Sequence, residues 1–475
     1  MITHYLLQQI KTNFCYKPTI GQEKAINLLS NFLFSTQADT IFLLKGYAGT
    51  GKTSLIGALV KTLDQLKQKC VLLAPTGRAA KVFSLYAEHP AYTIHKKIYR
   101  QKSFSNEVSQ FSLNDNLHKN TLFIVDEASM IANQGLSGSG FGSGRLLDDL
   151  VAYVYGGTGC RLLLIGDTAQ LPPVGEEESP ALSVNRLGGY GLSVEEVILK
   201  EVVRQMHDSG ILWNATALRQ LMAEEDYYQL PLIHVNGFPD IRSIRGNELI
   251  ELLNDGYEQV GMDETMVVCR SNKRANLYNQ GIRNTILYRE EELESGDMLL
   301  VAKNNYFWSE GCKDMDFIAN GDIAEVRRVR REREMYGFRF ADVVLRFPDY
   351  DDIELEVTLL LDTLHTDTPA LSREDNDRLF STILEDYADV PLKRDRMKKM
   401  KEDPHYNALQ VKYAYAITCH KAQGGQWKRV FLDQGYMTEE MLSPDYFRWL
   451  YTAFTRATET LYLVNWPKEQ LAVDE

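Results

Sequence analysis

A chain of 475 residues with 44% hydrophobic and 25% charged side chains has ordinary globular composition and enough length for about three domains, each able to bury a core. The net charge of −13 argues against a protein that coats nucleic acid indiscriminately, while leaving room for a locally basic groove. Cysteines at 15, 70, 160, 269, 312 and 419 form no CxxC pair and no metal-ligand spacing, so they read as reduced, mostly buried thiols of a cytoplasmic protein without a zinc or iron–sulfur centre.

The chain opens with MITHYLLQQIKTNF, an amphipathic helix candidate that lacks the make-up of a signal peptide, and no later apolar run approaches membrane-spanning length. Pro18-Thr19-Ile20-Gly21-Gln22 starts a second helix towards Phe34, with Thr19 as its N-cap. Gln22 is either a solvated amide or a group that reads the edge of adenine with its donor and acceptor. The apolar run Ile41 to Leu44 then enters Gly46-Tyr47-Ala48-Gly49-Thr50-Gly51-Lys52-Thr53 and passes into a helix at Ser54. Strand, glycine-rich loop and helix in that order make a P-loop, whose backbone N–H groups close around phosphate oxygens at a helix N-terminus. Gly46, Ala48, Gly49, Thr50, Gly51 and Ser54 would line the phosphates of ATP, Lys52 would reach the β- and γ-phosphates, and Thr53 would hold Mg2+.

Val71 to Ala74 reads as a strand that ends in Pro75-Thr76-Gly77, leaving the Thr76 hydroxyl at the carboxyl edge of the sheet, where α/β folds bind ligands. Arg78 and Lys81 read as helix-surface charges, and His95, in Thr93-Ile94-His95, reads by itself as structural. Residues 97–117 resemble a β-hairpin insertion around Ser105-Asn106, with Phe104 and Phe111 near its tip or flank. The strand Thr121 to Val125 closes on Asp126-Glu127, an acidic pair placed to anchor Mg2+ through Asp126 and to orient attacking water through Glu127. Gln134 to Gly144 is glycine- and serine-rich and predicts a flexible segment. Arg161 to Ile165 ends in Gly166-Asp167-Thr168-Ala169-Gln170, which puts Gln170 in position to sense the γ-phosphate. Glu196 to Leu199 is a further strand, followed by Arg204-Gln205.

Those blocks describe one doubly wound ATPase lobe. A second parallel set at Thr265 to Arg270, Val411 to Ile417 and Leu461 to Val464 predicts a second α/β lobe, interrupted by strands at Ile323 to Arg328, Phe338 to Phe347 and Ile353 to Leu361. The charged stretch from about 361 to 404, with Lys393, Arg394, Arg396, Lys398 and Lys399, reads as a DNA clamp, a partner surface or a solvated helix.

Together GYAGTGKTS, APTGRAAK, VDEASM, GDTAQLPPVG, Arg204-Gln205, YAYAITCHKAQGGQW and YTAFTRATETLYLV resemble the superfamily 1 DNA helicases of the RecD-like, Dda-like branch, in the family's order and over most of the chain. The resemblance implies two RecA-like lobes with ATP between them: residues 1–96 and 118–200 form the first, and 201–319 and 405–475 the second. It makes 97–117 a separating pin and 320–404 an SH3-like barrel insertion with a charged extension. Arg204 and Arg456 would be arginine fingers, and Thr76, Thr93, His95, Phe104, Thr418 and His420 would touch the DNA strand. Gln426 stands where many relatives carry a glutamate that bonds the ATP ribose, so that contact is expected to differ here. The implied activity is ATP-driven 5′→3′ movement on single-stranded DNA with opening of forks and duplex. The alternative is a DNA-stimulated translocase that unwinds only with protein partners of recombination or replication.

Overall fold

The computed structural model describes residues 2–37, 39–101, 111–135, 142–203, 208–312, 315 and 317–472. Two parallel sheets and one closed barrel organise the chain. The first sheet has the order Ala91–Thr93, Lys69–Ala74, Thr121–Val125, Arg161–Gly166, Thr40–Gly46, Ser193–Leu199, with every neighbouring pair parallel. Side chains alternate across it, and both faces are covered. Ile41 and Leu43 join Val71, Leu73, Phe123, Val125, Leu162 and Leu164 on one face, while Phe42 and Leu44 join Leu72, Leu122, Ile124, Leu163 and Ile165 on the other. Burying a large apolar side chain contributes about 1.5–3 kcal/mol, so these all-apolar strands are stable only in the middle of a layered α/β unit. The helix Ile2–Asn13 packs Leu6 and Ile10 against the second of these faces, beside Ile20–Phe34.

A second parallel sheet runs Ala416–Thr418, Thr265–Cys269, Trp427–Asp433, Ala457–Val464, Ile241–Ile244. The barrel closes through Met298–Val301, Ile323–Met335, Phe338–Phe347, Ile353–Leu360 and Leu409–Tyr413. Its first and last strands lie outside the expected 320–404 insertion. The run Val411 to Ile417, expected to be one strand of the second lobe, is two: Leu409–Tyr413 belongs to the barrel and Ala416–Thr418 to the second sheet. The charged stretch forms helices Arg373–Asp386 and Lys393–Lys401, whose Leu379, Ile383 and Met400 pack on Phe338, Phe340 and Leu360 of the barrel.

The base of the 97–117 insertion is an antiparallel pair, Tyr99–Gln101 with Phe111–Leu113, and Phe111 packs on Tyr306 with ring centroids 4.8 Å apart. Phe104, Ser105 and Asn106 lie outside the described residues, as do 136–141 of the glycine-rich segment and Arg204-Gln205. The cysteines are free thiols: Cys160, Cys269 and Cys419 are buried, Cys70 and Cys312 half-buried, and Cys15 exposed. Cys70 comes within 4.8 Å of Asp64 and His89, a grouping that sequence spacing does not reveal. No helix among the described residues is long and apolar enough to cross a membrane.

Candidate nucleotide site between two lobes

The P-loop leaves the carboxyl end of Thr40–Gly46 and turns into Lys52–Gln65. Gly49 and Gly51 have φ of +74° and +79°, so only glycine fits without strain. A Cβ at Gly46 would lie 2.9 Å from Thr50 Oγ1, so the tight loop also needs glycine there. Lys52 Nζ donates to Gly46 O at 2.7 Å and Tyr47 O at 3.0 Å. An ammonium has three protons, so one donor remains for a phosphate oxygen. Thr53 and Ser54 stand exposed on the first helical turn.

Gln22 is buried rather than solvated. Its Oε1 accepts from Thr19 N–H and its Nε2 donates to Thr50 O at 3.0 Å, so the amide completes a capping box and braces the P-loop. A methyl group on Gly51 would meet that amide at 2.5 Å.

Across the cleft floor, Asp126 follows the strand Thr121–Val125, and Glu127 turns out of it with φ +51°. Asp126 Oδ1 accepts from Glu127 N–H at 2.8 Å, and Oδ2 accepts from Tyr86 Oη at 2.5 Å. Each oxygen keeps a lone pair for a cation. Burial raises both carboxyls above their ordinary range; Asp126 adds repulsion at Glu127, and the positive charges of Arg456 and Lys52 oppose that shift. Gln170 is buried, and among the described residues nothing donates to its Oε1.

The second lobe closes the cleft. Arg456 is buried, with Nε on Thr452 O at 3.0 Å, Nη1 on Gly425 O at 3.0 Å and Nη2 on Thr455 Oγ1 at 3.1 Å, and no carboxylate among the described residues pairs with it. Among the contacts that cross between the lobes here, Leu171 N–H donates to Thr452 Oγ1 at 2.9 Å, Gln423 Nε2 donates to Leu171 O at 2.7 Å, and Ala48 N–H donates to Tyr451 Oη at 2.8 Å. Arg78, far from being a mere surface charge, stacks 4.4 Å from the Trp427 ring and donates to Gln426 O at 2.9 Å. The Gln426 side chain itself is exposed.

Thr76, Thr93 and Thr418 stand at helix N-caps, Thr76 just beyond its strand and Thr93 and Thr418 as the last residues of theirs. The first two hydroxyls accept from Ala79 N–H and Lys96 N–H at 3.2 Å, which leaves their protons free to donate outward. His95 is half-buried against Phe317, and burial pushes it down to about 4; His420 is exposed. Sequence reasoning missed Tyr86, Tyr451 and Asp167, whose roles depend on partners distant in sequence. It also missed Tyr350 of the barrel, whose hydroxyl fills the space where a Gly77 Cβ would stand.

An AAA-domain family model matches residues 21–234, and the UvrD-like helicase C-terminal domain matches residues 413–464. The first match spans the whole P-loop sheet, and the second spans three strands of the second sheet together with Arg456. Both matches point to similarity with the superfamily 1 helicases of the RecD-like type. The chain is 23% identical to the ATP-dependent RecD2 DNA helicase of Deinococcus radiodurans, over 89% of the chain but only 46% of that protein, so it spans less than half the length of that relative. It is 22% identical to an uncharacterized protein of Acanthamoeba polyphaga mimivirus over 93% of the chain and 98% of that protein. Among solved structures it is similar to the Pif1 helicase from Bacteroides in complex with ADP-AlF3 and ssDNA, with 14% identity, a TM-score of 0.47 and coverage of 97% and 95% of the two chains.

Proposed function

We propose that this chain is a RecD-like helicase that hydrolyses ATP to move 5′→3′ along single-stranded DNA and to open duplex at a fork. The observation that carries the reading is the pairing of one P-loop with charged and polar groups from both lobes: Lys52, Asp126, Glu127 and Gln170 on one side, Arg456 on the other. The site fits a nucleoside triphosphate because Lys52 keeps one donor for a phosphate oxygen and the loop tolerates no side chain at its glycines, while the buried Gln170 Oε1 is an acceptor suited to a water rather than to phosphate. The relative named ATP-dependent RecD2 DNA helicase supports ATP and DNA as the ligands.

Thr53 and Asp126 would hold a magnesium ion, which when bound neutralises charge on the β- and γ-phosphate oxygens. Glu127 accepts the proton of the attacking water. Lys52 and Arg456 stabilise the charge that develops on the transferred phosphoryl group, with Arg204 as the second finger. Gln170 reports the γ-phosphate to Leu171, whose backbone is held by Thr452 and Gln423 of the other lobe. Loss of the γ-phosphate removes contacts made by both lobes, so their preferred separation changes with the nucleotide. Thr76, Thr93, His95, Thr418 and His420, with Phe104 at the pin, would hold DNA by phosphate, sugar and stacking contacts, which suits an enzyme that ignores sequence.

The test is ATP turnover with and without single-stranded DNA, in the parent and in Lys52→Ala. DNA-stimulated turnover that vanishes in Lys52→Ala is expected. Unchanged turnover in that variant would refute the site, and turnover indifferent to DNA would refute the motor.

A further inference from the structure

Tyr451 lies in Pro444–Phe454, a helix of the second lobe, yet both bonds of its hydroxyl end on the first lobe. The oxygen accepts from Ala48 N–H in the P-loop at 2.8 Å and donates to Asp167 Oδ2 at 2.6 Å; Tyr451 and Asp167 are buried and Ala48 is half-buried. Asp167 is itself oriented, because its other oxygen accepts from Ala169 N–H at 2.9 Å, one residue before Gln170. Burial and the Asp167 charge push the tyrosine hydroxyl upward, so at neutral pH it remains a donor. The next residue, Thr452, takes Leu171 N–H on its hydroxyl, and its carbonyl holds Arg456 Nε at 3.0 Å. A shift of the P-loop at Ala48 therefore moves the last helix turn, whose Thr452 carbonyl holds the arginine that follows the helix.

We propose that Tyr451 is a positioning residue: its hydroxyl struts the P-loop and Asp167 against the second lobe and so sets the Arg456 guanidinium for the hydrolytic step. The inference rests on the reading of Arg456 as a γ-phosphate contact. A buried tyrosine kept only for packing would need no hydroxyl. Here the hydroxyl satisfies a P-loop amide and a buried carboxylate at once, and phenylalanine would leave both short of a partner.

The experiment is steady-state ATP hydrolysis at saturating single-stranded DNA for the parent, Tyr451→Phe, Arg456→Lys and the double variant. Tyr451→Phe is expected to lower kcat by about tenfold, the loss of one to two such hydrogen bonds in the transition state. Its KM for ATP should change by less than about threefold, because Lys52 keeps its contacts and the hydroxyl braces the P-loop from the second lobe rather than touching nucleotide. In the Arg456→Lys background the same change should cost little more, since the strut acts through the arginine. Asp167→Asn, which alters the hydroxyl's acceptor, should reproduce the kcat loss at constant KM. A kcat unaltered by Tyr451→Phe, or losses that multiply in the double variant, would overturn the strut while leaving the ATP site intact. Normal kcat in Arg456→Lys would overturn the underlying reading of the arginine.

Discussion

Replacing Gly77 by alanine sets helix propensity against packing at the seat of the barrel on the first lobe. Gly77 begins the helix Gly77–Ala87, where alanine would gain up to about 1 kcal/mol on intrinsic grounds. The added methyl, however, would stand 2.6 Å from Tyr350 Oη and 2.8 Å from its Cζ, so the aromatic ring must move. Tyr350 donates to Asp322 Oδ1 at 3.1 Å, while Oδ2 of that buried carboxyl accepts from Ala319 N–H. Overpacking costs about 1–3 kcal/mol and a lost hydrogen bond to a charged group about 1.5–3, so packing wins by roughly 2–5 kcal/mol. Burial pushes Asp322 from 3.8 up to about 7, with the Tyr350 bond pulling against that rise. A raised carboxyl favours the protonated native state, so its contribution to stability is present at low pH and is lost as pH rises through about 7. Without the tyrosine the carboxyl rises further, and the deficit of Gly77→Ala should be larger at pH 8 than at pH 6. Urea unfolding of both proteins at the two pH values checks this. A variant as stable as the parent, or a deficit that ignores pH, would refute the reasoning.

Arg456→Ala should keep nucleotide affinity within a few-fold, measured with a fluorescent ATP analogue, and lose turnover by about 10³-fold or more, as arginine fingers do; equal loss of both would mark a folding role. The raised Glu127 carboxyl acts as a base only when ionised, so turnover should fall on acidification at a higher pH than an ordinary glutamate near 4.5 allows. A pH profile of kcat flat to about pH 5 would contradict that role. Thr76→Val removes a helix cap and should cost about 1 kcal/mol of stability, whereas Thr418, which makes no side-chain cap bond, should cost little when changed to Val. Both variants should weaken single-stranded DNA binding by fluorescence anisotropy, and unaltered affinity in both would remove the threonines from the DNA path.

The P-loop, the acidic pair and Gln170 were legible because each is a local pattern: an apolar strand that ends abruptly in the residues its ligand needs. Thr19 and Gln22 were legible as well, but Thr-x-x-Gln is also a capping box, and in the fold the amide is spent on that box and on Thr50. Strand identity failed where neighbouring strands serve different sheets. Leu409–Tyr413 and Ala416–Thr418 form one apolar run in sequence, and only pairing with Met298–Val301 and Thr265–Cys269 separates them. The short edge strands Ala91–Thr93 and Ile241–Ile244 carry too few residues to show a period. Tyr86 on Asp126, Tyr350 over Gly77 and Tyr451 on Ala48 were invisible for a common reason: a hydroxyl's partner is set by tertiary approach, and tyrosine spacing carries no trace of it.

The most direct test of the motor is unwinding by the purified chain of two forks, one with a 5′ single-stranded tail and one with a 3′ tail, at saturating ATP. The account predicts opening of the 5′-tailed fork alone, dependent on Lys52. Opening of the 3′-tailed fork alone, or of neither fork while DNA still stimulates ATP turnover, would contradict it.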